Sequence, residues 1–184
     1  MSERLVVTPS QTVGPFFGFA LPWPHGNEVV SPDAPGAFTI YGRVIDGGGD
    51  GIPDAMIETW QADPEGRFDH PDDPRGASGS GFRGFARCST DVQGNYSIVT
   101  QKPGPVPGPD GMQAPHIDVT ILSRGLLLRL VTRIYFPEDA ELFASDPVLS
   151  GLDDTHTLIA TKTAEVYRHD FRLQGGDETV FFAV

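Results

Sequence analysis

The sequence predicts an all-β fold: a β-sandwich core of roughly seven or more strands, with long loops, short helical turns and an irregular N-terminal arm. Two observations carry most of this. The chain has 22 glycines and 17 prolines in 184 residues, spread between short runs rich in Val, Ile, Phe and Thr, which is how turns alternate with strands. Within the runs apolar residues recur with a period of two, the periodicity of a strand with one buried face.

The elements follow in order. Residues 1–37 read as an arm packing on a partner chain or on its own domain: prolines at 9, 15, 22, 24, 32 and 35 exclude regular structure, yet Phe16, Phe17, Phe19, Leu21 and Trp23 are too apolar for a solvated tail. Residues 38–184 read as the sandwich domain. FTIYGRVID (38–46), GGGDG (47–51) and DAMIETWQA (54–62) predict a hairpin, with Ile40, Gly42 and Val44 on one face and Ala55, Ile57 and Thr59 alternating on its partner. Residues 63–84 form a long Gly/Asp/Pro/Arg-rich loop, and 90–101 a turn and strand. HIDVTILSRG (116–125) and LLLRLVTRIYF (126–136) predict a second hairpin. PEDAELFASD (137–146) suits one or two helical turns before Pro147, and DDTHTLIATK (153–162) a short helix behind N-cap residues. VYRHDFRLQG (166–175) and ETVFFAV (178–184) predict a closing hairpin.

Composition limits the function. A net charge of -12 and a pI near 4.6 repel phosphate backbones, so no nucleic-acid partner is expected. No run of eighteen apolar residues exists, so no membrane span is expected, and MSERLVVTPSQ lacks the features of a signal peptide. The single cysteine, Cys88, excludes a disulfide framework and reads as a small buried residue. A cytoplasmic location is expected.

Few residues suggest chemistry by themselves. His116 and Asp118, two apart on a strand, share a face and with His169 would supply the residue types of a two-His, one-carboxylate Fe(II) site. His156 is a second possible third ligand, although on a predicted helix. The plain alternative is a half-buried histidine and an outward aspartate on an ordinary strand. His25 and His70 fall in loops and read as solvated. Arg133 lies mid-strand among apolar residues and must find an anion, either a carboxylate of this chain or that of a ligand.

Taken together, TPSQTVGPF (8–16), YGRVIDGGGDGIPDAMIETWQADPEGRF (41–68), TDVQGNYSIVTQKPGP (90–105), APHIDVTI (114–121), LVTRIYFPED (130–139) and YRHDFRL (167–173) resemble the intradiol ring-cleaving dioxygenases over nearly the whole chain. The resemblance implies a β-sandwich and an Fe(III) site held by two tyrosines and two histidines in catalytic chains. Here the corresponding positions are Arg75, Val106, His116 and Asp118, with Gln113 where catalytic chains carry an arginine. Valine offers no donor atom and a guanidinium repels a cation, so this chain is expected to hold no metal. The resemblance further implies a homologous catalytic β subunit that binds the Fe(III), a higher αβ oligomer, and protocatechuate with O2 as substrates. Thr12, Gly14, Pro15 and Arg133 are the expected substrate-binding residues. The rival from a different class is a transthyretin-like binding module without an enzyme partner.

Overall fold

The computed structural model describes residues 7–76, 78, 81–164 and 166–183. The strands in chain order are β1 (Phe38–Ile45), β2 (Met56–Trp60), β3 (Phe85–Ser89), β4 (Asn95–Thr100), β5 (Val106–Gly108), β6 (Gly111–Gln113), β7 (His116–Leu122), β8 (Leu130–Tyr135), β9 (Thr161–Thr163), β10 (Val166–Arg168) and β11 (Phe171–Arg172). In one sheet β1 is central. It pairs antiparallel with β4 along one edge and, along the other, parallel with β10 and then β11. The facing sheet runs β3-β2-β7-β8, all antiparallel, and β5 with β6 forms a separate ribbon. Ile40, Val44 and Ile98 of the first sheet meet Ile57, Ile117, Val119, Ile121 and Ile134 of the second in one buried cluster. The β-sandwich expected from the alternating pattern is the fold observed.

The pairing of its first two strands is a correction. Ile40, Val44, Ala55, Ile57 and Thr59 are all buried, as the alternation requires, but β1 and β2 lie in different sheets. The Asp46–Gly51 turn does form, with Asp46 Oδ1 accepting from the Gly48 and Asp50 amides. The chain then crosses to the other sheet, where Thr90 Oγ1 accepts from the Ala55 amide and donates to the Ile52 carbonyl. A period of two states which face is buried and is silent about which strand is the neighbour.

The second predicted hairpin, β7 with β8, is present from His116 opposite Tyr135 to Ile121 opposite Leu130. Helical turns occur at Pro137–Asp139 and α2 (Ala140–Phe143), numbered after α1 (Phe17–Ala20) in the arm. The short helix expected over 153–162 is a single 3-10 turn, His156–Leu158, that runs on into β9. The closing hairpin is a second correction: β10 and β11 add to the open edge of β1, and residues 178–183 form no strand. Instead the Phe182 amide donates to the Val131 carbonyl, which ties the tail to β8.

The arm is of two kinds. Residues 27–30 are stitched to β4, with the Val99 amide donating to the Asn27 carbonyl and the Val29 amide to the Val99 carbonyl. Val29 and Val30 join the core. Further back, Phe16 is 79% and Phe19 85% exposed. No helix among the described residues is long and apolar enough to cross a membrane.

Where β10 gives way to β11, the His169 amide donates to the Tyr41 carbonyl, and the Asp170 carboxylate takes the place of a ladder acceptor for the Arg43 amide. The His169 carbonyl comes so close to Gly42 that a Cβ there would lie 1.7 Å from it. The buried Tyr96 hydroxyl donates to the same carbonyl at 2.7 Å. Tyr96→Phe leaves that carbonyl without this donor and should cost about 1–2 kcal/mol in urea unfolding. A change below a few tenths would mean that the bond contributes nothing net.

Candidate functional site

Alternation along β2, β7 and β8 leaves one face of the four-stranded sheet away from the core. Strand register lines up Trp60, Asp118 and Arg133 across that face, with His116 opposite Tyr135 two residues further on. A second small cluster of Ala114, Tyr135, Leu149 and Leu158, backed by Phe143 of α2, buries the His116 end. The site is therefore a polar row whose one end is closed by this chain.

Arg133 organises the row. Its Nε donates to Asp118 Oδ1 at 2.8 Å, and its Nη1 donates to Gln113 Oε1 at 3.0 Å and to the Tyr135 hydroxyl at 3.1 Å. Of the two anions left open by the sequence, the structure supplies the carboxylate within the chain. His116 Nδ1 bonds the Ala114 carbonyl at 2.7 Å, and its Nε2 lies 3.8 Å from Asp118 Oδ2. Burial and the neighbouring guanidinium lower the His116 pKa, which keeps the ring neutral at pH 7. Burial pushes the Tyr135 phenol up to about 12, so it remains protonated. One positive and one negative charge thus make up the row.

Of the remaining expected positions, Val106 and Arg75 adjoin the row and those of the arm do not. Val106 is buried at the start of β5, opposite Gln113 of β6. Arg75 is gripped by Asp73 at 2.8 and 2.9 Å and donates to the Gly66 carbonyl. It lines a cavity of about 550 Å³ with Trp60, Phe68, His70 and Pro107. The Trp60 and Phe68 rings stack there, parallel within 2° and 6.0 Å between centroids. In the arm, Gly14 takes a positive φ of 72° and its amide donates to Thr12 Oγ1. Pro15 lines a depression with Ala55, Ser89 and Arg124, beside the far end of the same sheet. That end is four residues along β2 from Trp60, or about 13 Å at the rise of a strand. Thr12, Gly14 and Pro15 are thus not gathered round Arg133 within this chain.

His169 sits on the other sheet, its ring edge-on to Phe171 at 4.8 Å. It is not brought to His116 and Asp118: among the described residues no group of three or more His, Cys, Asp or Glu could hold a metal ion. The expected solvation of His25 and His70 holds, both side chains being more than half exposed. Cys88 is largely buried, which pushes its thiol up to about 12 and leaves it inert. Tyr135 and Gln113 escaped attention in the sequence as partners of Arg133. The signal for Tyr135 was its place two residues along the same strand face.

The sequence pattern of a family described as Dioxygenase matches residues 14–175. The chain belongs to the intradiol dioxygenase family. It is 41% identical to the protocatechuate 3,4-dioxygenase alpha chain of Burkholderia cepacia, over 96% of this chain and 97% of that one. To the protocatechuate 3,4-dioxygenase beta chain of the same organism it is 34% identical, over 76% of this chain and 65% of that one. A solved dioxygenase domain from Streptomyces sp. SirexAA-E superposes with a TM-score of 0.63 at 24% identity, covering 92% of this chain and 99% of that one, which establishes the shared fold.

Intradiol dioxygenases use iron, and the residues at the four positions expected from the resemblance do not fit that metal. Val106 has no donor atom, and the Arg75 guanidinium is cationic and already paired with Asp73. Asp118 is engaged by Arg133, whose charge beside His116 disfavours a second cation. A single neutral imidazole supplies too few donors to retain an iron ion.

Proposed function

We propose that this chain is the non-catalytic α subunit of a protocatechuate 3,4-dioxygenase, an αβ enzyme that cleaves 3,4-dihydroxybenzoate with O2 to 3-carboxy-cis,cis-muconate. The homologous β subunit holds the Fe(III), and αβ pairs assemble further. The observation that carries this reading is a full-length likeness to an alpha chain combined with a site whose donors have been replaced by an arginine network. In the assembly this chain closes one wall of the pocket. Arg133 offers a guanidinium to the anionic substrate, and the arm brings Thr12, Gly14 and Pro15 to the pocket from the other end of the sheet. With no side chain at Gly14, the backbone can come close to a flat ring.

The test is expression with and without a β-type partner. Alone, the chain should purify colourless, with iron far below one atom per chain and no O2 uptake on 3,4-dihydroxybenzoate. Co-expressed, it should copurify with the partner, show a tyrosinate-to-iron absorption band and turn over that substrate. Stoichiometric iron in the chain purified alone would overturn the assignment.

A further inference from the structure

We infer that Asp118 is a positioning residue for Arg133: with Gln113 and Tyr135 it fixes the guanidinium in one orientation, so that the remaining terminal nitrogen can take the carboxylate of an aromatic substrate in the partner's pocket. The inference rests on the reading that this chain walls an active site completed by a partner. Three features of the network carry it.

The first is the pattern of bonds. A carboxylate that only neutralises an arginine commonly meets it as a bidentate fork. Asp118 instead takes Nε from the side through one oxygen, at 2.8 Å, and its other oxygen lies 3.8 Å from His116 Nε2. Gln113 and Tyr135 both take Nη1. The three bonds pin the guanidinium plane along two edges while using only Nε and Nη1, so an outside acceptor would meet Nη2.

The second is energetic. Asp118 is 38% exposed and Arg133 16%, and a pair whose carboxylate still meets water contributes only modestly to stability. What such a pair can supply is preorganisation. A free arginine loses rotamer entropy when it is immobilised. Fixing it before the ligand arrives removes that cost from binding. The third is placement. Asp118 stands directly opposite Arg133 in the β7–β8 ladder, with Tyr135 two residues along the same strand face. The orientation is therefore set by strand register, the least mobile geometry the fold offers.

The test uses the assembled αβ enzyme with Asp118→Ala and Asp118→Asn. Alanine removes the acceptor, whereas asparagine keeps an oxygen for Nε and removes only the charge. For 3,4-dihydroxybenzoate, Asp118→Ala should raise KM about tenfold while kcat falls less than twofold. Asp118→Asn should return KM to within about threefold of wild type. With catechol, which lacks the carboxylate, neither variant should shift KM. If Asp118 merely neutralises Arg133, both variants leave a barer cation and KM for the anionic substrate falls, which overturns the inference. So does a KM within twofold of wild type in Asp118→Ala, or an equal shift with catechol. If the wild-type chain fails to assemble with an iron-bearing partner, the functional reading itself fails and this inference falls with it.

Discussion

Between pH 6.5 and about 4 the chain should lose about 3 kcal/mol of folding stability through His169 alone. Burial lowers the pKa of this imidazole from 6.5 to about 4, and Asp170 opposes the shift only weakly. Its ring is packed on Phe171 and its Nε2 is buried without a hydrogen-bond partner. Because the folded pKa lies below the unfolded one, the unfolded chain binds the proton first as pH falls. The stability is complete above 6.5 and is lost progressively down to about 4, at roughly 1.4 kcal/mol per pH unit. His116 acts in the same direction. His156, raised by Asp154, acts in the opposite sense from a fully solvated position. The carboxylates of Asp63 and Asp73 are held below their usual range and titrate later. Urea midpoints measured at pH 7 and pH 4.5 check this. His169→Phe, which keeps a ring against Phe171, should remove most of the acid loss. An equal loss in that variant would assign the titration elsewhere.

How much was legible in the sequence varies with how local the cause is. Burial was legible strand by strand, because a period of two reports on the pleat itself. Ile40, Val44, Ile57 and Thr59 all lie where the alternation put them. Partner choice was not. β1 and β2 are joined by a turn that looks like a hairpin, yet the chain crosses to the second sheet, where β2 pairs with β3 and β7 and the Ala55 amide donates to Thr90, 35 residues downstream. The terminal strands follow the same rule: β10 and β11 answer to the open edge of β1, more than a hundred residues away in sequence.

The site divides along the same line. Asp118 and Arg133 lie in strands joined by a short connection, so their common face could be read from the predicted hairpin. The third donor sought for His116 and Asp118, His169, belongs to the opposite sheet, and no sequence spacing records that. Resemblance picks out Val106 and Arg75 as positions expected to lack metal donors, but it does not show where Arg133 finds its anion. That took the geometry, in which Arg133 is surrounded by the Asp118, Gln113 and Tyr135 oxygens. Asp118, expected from the resemblance at a ligand position, is in the fold the acceptor that holds Arg133.

Removing the two exposed rings of the arm should weaken assembly by roughly a thousandfold and leave the isolated chain as stable as before. Phe16 and Phe19 are 79% and 85% exposed, flanking the buried Phe17 in and beside α1. Fully burying a phenylalanine contributes about 2 kcal/mol, so two of them give about 4, and every 1.4 kcal/mol is a tenfold change in affinity. Two such rings close together on a surface suit an interface better than solvent. The short helical turn presents them, and the segment behind it is anchored: residues 27–30 hold to β4, and Arg83 donates to the Glu28 carbonyl. The arm can thus offer both rings without the sandwich having to move. Phe16→Ala/Phe19→Ala, titrated against the β-type partner by sedimentation, should show the loss. The unfolding midpoint of the variant chain alone should match wild type, since neither ring belongs to its core. An unchanged affinity would place the partner on another face. A lowered midpoint would show instead that the arm folds back onto its own domain.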